Sequence, residues 1–154
     1  TPSTVPGCRV PHVVLADGRS LYDAFGPGYT LLRLDPQRDV APLDVLGPRN
    51  NIARAKKQAG RLGDAIGDLA GVLADTERQL GEVHWLAKAC RATLGLWLHT
   101  AKRDAEALPL LQRAVADLTA DKGPDHADTA AVRRGLHEVL RALGRGDEVP
   151  VDGK

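Results

Sequence analysis

The sequence predicts a mostly α protein: an array of antiparallel helix pairs, about five helices in all, preceded by a small β-α-β segment. Three observations carry this. Residues recur at a fixed offset of 42, as in Arg49, Arg91 and Arg133, then Ile52, Leu94 and Leu136, then Arg61, Arg103 and Arg145. A fixed period of this size marks a stacked repeat, in which each unit buries its apolar face against its neighbours. Within a unit, Leu86, Cys90, Leu94, Trp97, Leu98 and Ala101 recur at the three- and four-residue steps of a helix. Only five residues are aromatic, so the core is built from Leu, Val, Ile and Ala, which suits closely packed helices.

Residues 1–41 are of a different character. The first 47 residues hold six prolines and show no helical period before residues 21–25. Residues 9–15 read as a strand, Asp17-Gly18 as a turn, residues 21–25 as one helical turn capped by Ser20, and residues 29–34 as a second strand. Residues 42–48 are expected to be a linker. The repeats occupy 49–146, and 147–154 form a Gly- and Asp-containing flexible tail.

The repeat boundaries follow from residue chemistry. An ungapped alignment pairs Ala65 with Ala107, Leu69 with Leu111, Ala74 with Ala116, Asp75 with Asp117, Gly81 with Gly123 and His84 with His126. Lys102-Arg103 marks the turn inside a pair. Leu108, Leu111, Ala114, Val115 and Leu118 then give the apolar stripe of the following helix, with Pro109 near its start. Gly123-Pro124 ends the unit, and Asp128-Thr129 offers side-chain oxygens to cap the next helix. Gly63, Gly67 and Gly71 each weaken a helix by about 1 kcal/mol relative to Ala. Lys56 stands where the later copies have Leu98 and Leu140. The first unit is therefore expected to be frayed, or to act as a cap.

Asn50-Asn-Ile-Ala53, Ala59-Gly-Arg-Leu-Gly-Asp-Ala-Ile66 and Gly123-Pro-Asp-His-Ala-Asp-Thr129 resemble the tetratricopeptide repeats of kinesin light chain type, over about residues 48–146. The resemblance implies a protein-binding scaffold. It places small residues, here Ala53, Gly95, Ala65, Ala107 and Ala114, where paired helices touch. It also implies that first helices line a concave surface, carrying Asn50, Arg54 and Lys57, then Ala92, Leu96 and His99, then Arg134, Glu138 and Arg141. Four of these nine are Lys or Arg and one is acidic, which implies a basic groove suited to an acidic peptide or a terminal carboxylate.

A second resemblance covers residues 2–34. Pro6-Gly7, Arg9, Pro11-His12, Leu15-Ala-Asp-Gly-Arg-Ser-Leu-Tyr-Asp23, Phe25-Gly26 and Tyr29-Thr-Leu-Leu-Arg33 resemble the opening of the C-terminal thioredoxin-like domain of bacterial FAD-dependent aromatic hydroxylases. In that family the domain is accessory and does not hold the flavin. The alternative it implies is an accessory C-terminal region of such a monooxygenase, acting in positioning or oligomerisation with FAD held elsewhere. Gly26-Pro27-Gly28 lacks the third glycine and the helix start of a dinucleotide site, and Cys8 stands without a Cys-x-x-Cys partner.

Composition narrows the classes further. A net charge of +1 gives no general case for nucleic acid. No apolar run reaches the roughly 20 residues of a membrane-spanning helix. Cys8 and Cys90 are read as two free thiols in a cytoplasmic protein, with a disulfide between them as the alternative. With Thr at position 1 and no methionine, the sequence is read as a processed product or a piece of something longer. His84 and His126 read as inter-repeat loop residues, His99 and His137 as helix-face residues, and His12 as structural. No Ser or Cys is paired with any of them as a nucleophile. Asp64/Asp68 and Asp125/Asp128 have the spacing of solvated faces and caps. The expectation is a non-catalytic interaction module with no cofactor and a protein or acidic-peptide partner. Homo-oligomers are also expected, through open strand edges and a partly covered stripe of Val132, Leu136, Val139, Leu140 and Leu143.

Overall fold

The computed structural model describes residues 41–148 together with Gly18. The chain divides into two compact units, Thr1–Asp39 and Val40–Lys154. The strands and helical turn expected before residue 41 lie outside the described residues, as does the tail from residue 149. The described residues of the second unit are all α: α1 (Pro42–Gln58), α2 (Leu62–Leu80), α3 (Trp85–Thr100), α4 (Asp104–Lys122), α5 (Ala127–Ala142) and a 3-10 turn at Gly146–Glu148. Each helix packs on the next, and α3 also touches α5. The starts of α2 and α4, and of α3 and α5, are 42 residues apart, so the sequence period is the structural one.

One boundary differs from expectation. Residues 42–48 are not a linker but the first turns of α1. Pro42 sits at the helix start, where its missing N–H has no intrahelical partner to lose. Leu46 is 1% exposed, so these turns bury apolar surface that a linker would leave wet. Pro48 stays within the helix with its ring exposed to solvent. The first unit is not frayed either. α2 runs unbroken through Gly63, Gly67 and Gly71 because its opposite face buries Ala65, Ile66, Leu69, Val72 and Leu73. Lys56 forms an ion pair with Asp68 at 2.5 Å, at the register where the second unit has Leu98 and Leu110.

Two kinds of turn repeat. Each of α1, α3 and α5 ends in a Schellman motif: the N–H of Arg61 donates to the Lys56 carbonyl, that of Arg103 to Leu98, and that of Arg145 to Leu140. The left-handed residue of this motif is Gly60, Lys102 or Gly144, with φ of 78°, 61° and 72°. Between pairs, Gly81 and Gly123 end the helix at φ 90° and 89°. His84 and His126 follow, and each Nδ1 accepts from the backbone N–H two residues on, at 3.2 and 3.1 Å. The histidines are therefore N-caps, not plain loop residues. Asp128-Thr129 does not cap α5: the Thr129 hydroxyl turns back and donates to the Gly123 carbonyl at 2.9 Å, closing α4.

Small residues set the closeness of the pairs. Ala53, Ala65 and Ala107 are fully buried and Ala114 nearly so. At Gly95 a Cβ would lie 2.8 Å from Cδ2 and Cγ of Leu111, so a larger residue there would force the Leu111 side chain to shift. The Val132, Leu136, Val139 and Leu140 stripe, expected to be partly open, is buried. Only Leu143 at its end is half-buried.

Charges repeat as well. Arg49 on α1 meets Asp75 on α2 at 2.5 Å, and Arg91 on α3 meets Asp117 on α4 at 2.5 Å. Arg91 also reaches Glu77 at 2.7 Å and the Glu82 carbonyl at 3.2 Å, and is only 4% exposed. The Arg49 hydrogen bond, with Arg78 beside it, holds the Asp75 carboxyl below the usual carboxylate range. The stabilisation from this shift is present above the ordinary carboxylate pKa and is lost as pH falls through the lowered value.

Lys102 is a side-chain-bearing residue in a left-handed position that glycine fills after α1 and α5. Lys102→Gly is expected to stabilise the fold by about 1 kcal/mol. A higher urea midpoint with an unchanged slope would show it; an unchanged or lower midpoint would contradict it.

Candidate functional site

The first helices of the pairs, α1, α3 and α5, carry the residues expected on the concave face, and the structure divides those residues into three groups. Arg54 and Lys57 come together. With Gln58 on α1 and Thr93 and Trp97 on α3, they line a shallow cleft of about 160 Å³. The Lys57 ammonium stands 5.7 Å from the centre of the Trp97 ring, a cation–π contact. Trp97 is otherwise buried at 6% exposure, so the cleft has an aromatic floor under a cationic rim.

A second group is engaged inside the array. Leu96 is not a free apolar strip: it packs against Gly135 of α5, where an added Cβ would collide with its Cδ2. His99 hydrogen-bonds through Nδ1 to Asp104 at 2.5 Å, and its Nε2 lies 3.4 Å from the Glu138 carboxylate. Asn50 accepts from the Cys90 thiol at 3.8 Å. The reason is common to these residues: the face that looks inward along one helix is also the face that meets the next first helix.

The third group lies on α5. Arg134 lines a different cleft, of about 400 Å³, with Ala127, Ala130, Arg133 and His137. Arg141 is exposed, and its Cγ lies against Gly146 of the 3-10 turn.

The cations sort by use. Arg49, Lys56, Lys88 and Arg91 are held by acids of the second helices, Lys88 by Asp121 at 2.6 Å. Arg54, Lys57, Arg134 and Arg141 form no ion pair with any described residue. Sequence reasoning finds these four cations but misses Thr93, Trp97 and Gln58, which line the cleft with two of them. Trp97 falls in the apolar stripe of α3, and that stripe signals core whether or not one edge of the ring stays open.

No protein-family model matches the sequence, and no curated protein matches it. Among solved structures, the crystal structure of BtubC (BKLC) from P. vanneervenii matches with a TM-score of 0.60 at 23% identity, over 69% of this chain and 42% of that one. The chain has the fold of a helical-repeat array. It spans less than half the length of BtubC, and the likeness is one of fold alone. The resemblance of residues 2–34 to the flavin hydroxylases lies outside the described residues, and none of these comparisons supports it. No helix among the described residues is long and apolar enough to cross a membrane.

Cys90 is a free, buried thiol whose pKa burial pushes up to about 11. At pH 8 that leaves about a hundredfold less thiolate than an ordinary thiol has. In a Cys8→Ser variant, the single thiol is expected to react with a disulfide reagent at least about a hundredfold more slowly when folded than in denaturant. Equal rates would contradict the burial.

Proposed function

We propose that the chain is a non-catalytic protein-interaction module of the tetratricopeptide kind, holding an acidic or carboxylate-ended peptide in the cleft between α1 and α3. The observation that carries this is the pairing of Arg54 and Lys57, without ion-pair partners among the described residues, over Trp97. A guanidinium offers a carboxylate two parallel donors, the ammonium adds a second charge, and the ring accepts the ligand's apolar stem. The helical-repeat fold supports the reading, since such arrays present side chains from successive helices along one extended surface. Charges that stabilised the fold would be expected to have acidic partners, as Arg49 and Arg91 do.

The test is a panel of labelled peptides with acidic side chains or a free C-terminal carboxylate, titrated into the whole chain at rising salt. Arg54→Ala with Lys57→Ala is expected to weaken binding by about tenfold or more, since each charge-assisted hydrogen bond is worth about 1.5–3 kcal/mol. Melting is expected to be nearly unchanged, because exposed charges contribute about 0–1 kcal/mol per pair to folding. Affinity is also expected to fall with salt. A peptide whose affinity ignores both salt and the double substitution would show that the cleft is not its site. A flavin band co-eluting with the purified chain would instead favour the hydroxylase-accessory reading.

A further inference from the structure

An arginine stands at one register of every first helix, Arg49 on α1, Arg91 on α3 and Arg133 on α5. On α3 and α5 it reaches back to the unit before. Nη2 of Arg91 donates to the Glu77 carboxylate at 2.7 Å and to the Glu82 carbonyl at 3.2 Å, and Nη2 of Arg133 donates to the Pro124 carbonyl at 3.0 Å. Glu82 and Pro124 are 42 residues apart, so the bond to the loop after a second helix is itself a repeating contact. One turn to either side of these arginines, Ala87 and Leu94 on α3 and Thr129 and Leu136 on α5 are buried.

No described helix precedes α1, and there the same face is open. Nη1 of Arg49 holds Asp75 at 2.5 Å, as Arg91 holds Asp117, but Nη2 of Arg49 has no hydrogen-bond partner among the described residues. It lies beside the α2 backbone, 3.6 Å from where a Cβ on Gly71 would stand. The Arg49 side chain is 42% exposed, against 5% for Arg91. Val45 and Ile52, at the registers of Ala87 and Leu94, are half-buried. The charges differ in the same sense. Arg91 stands between two acids, Asp117 and Glu77, whereas Asp75 is shared by Arg49 and Arg78, two cations to one acid. A guanidinium is a rigid fork of five donors, so Nη2 can take a second carboxylate while Nη1 keeps Asp75.

We infer that this face of α1 docks the C-terminal end of a helix from a separate protein, one that presents a carboxylate four residues before a helix-ending glycine and the main-chain carbonyl just after it. Charge complementarity gives the acid, and the end of α2, with Glu77, Gly81 and Glu82 on Arg91, gives the spacing. Arg49 and Arg54 are about 140° apart round α1 at 3.6 residues per turn, so this surface and the α1–α3 cleft can fail separately.

The probe is a labelled synthetic peptide of residues 66–84, the end of α2 with its loop, titrated into the whole chain. It is expected to bind, and Glu77→Gln in the probe is expected to weaken binding about tenfold. Arg49→Lys in the protein is expected to cost about the same, with melting nearly unchanged, because an ammonium can still pair with Asp75 but cannot span two carboxylates. The Glu77→Gln arm leaves the protein untouched, so it decides even if Arg49→Lys shifts the melting. Absence of binding would overturn the proposal, as would affinity indifferent to both Glu77 and Arg49. Binding abolished by Arg54→Ala with Lys57→Ala would overturn it by moving the probe to the α1–α3 cleft. Sedimentation showing self-pairing that Arg49→Lys disrupts would overturn it too, assigning the face to a second copy.

Discussion

Arg91 ties the array together. One guanidinium, almost wholly buried, joins α3 to α4 through Asp117, to the end of α2 through Glu77, and to the loop between them through the Glu82 carbonyl. A buried charge is tolerated only where its donors are satisfied, and a guanidinium fork can satisfy several acceptors in one plane. Its geometry therefore constrains where the second pair lies relative to the first. The apolar side chains buried in the core are less directional: Leu86, Leu94, Leu98 and Leu111 fill volume, and leucines tolerate small shifts that a guanidinium shared between two carboxylates and a carbonyl does not.

The three registers show what the fold needs and what it leaves free. A small residue between paired helices, a left-handed residue after each first helix, a histidine cap before α3 and α5, and an arginine facing an acid all recur. Elsewhere the copies diverge. Leu98 and Leu110 give way to the Lys56–Asp68 pair in the first unit, and Gly95 becomes His137 in the third. Positions released from the repeat are the ones open to a role outside the fold, and the proposed peptide cleft is built on two of them, Arg54 and Lys57.

Much of the fold is legible in the sequence because a stacked repeat writes its period into the chain. The 42-residue offset alone brings Arg49, Arg91 and Arg133 into line, and Asp75 with Asp117. An offset aligns like with like and does not say what stands opposite, so the Arg49–Asp75 and Arg91–Asp117 pairs, each 26 residues apart, cannot be read from it. Pro42 and Pro48 suggest a linker, yet shifting the start of α3 back by one period points to residue 43, close to the observed start at Pro42. Proline punctuation misleads where the period does not. For the site, charge is legible and neighbourhood is not. Arg54 and Lys57 stand out in the sequence, but the open edge of Trp97 and the engagement of Leu96 and His99 depend on which helix face meets the next first helix.

Burial of Arg91, not the mere presence of an Arg–Asp pair, holds the array. The direct measurement is urea unfolding of Arg91→Met beside Arg49→Met, since the two arginines share a register while their side chains are 5% and 42% exposed. Removing one partner from a buried ion pair costs about 3–5 kcal/mol. Arg91→Met is expected to show a loss of that order, reduced when Asp117→Asn is added, and Arg49→Met a much smaller one. Equal losses for the two arginines, or an Arg91→Met loss that simply adds to that of Asp117→Asn, would contradict the account.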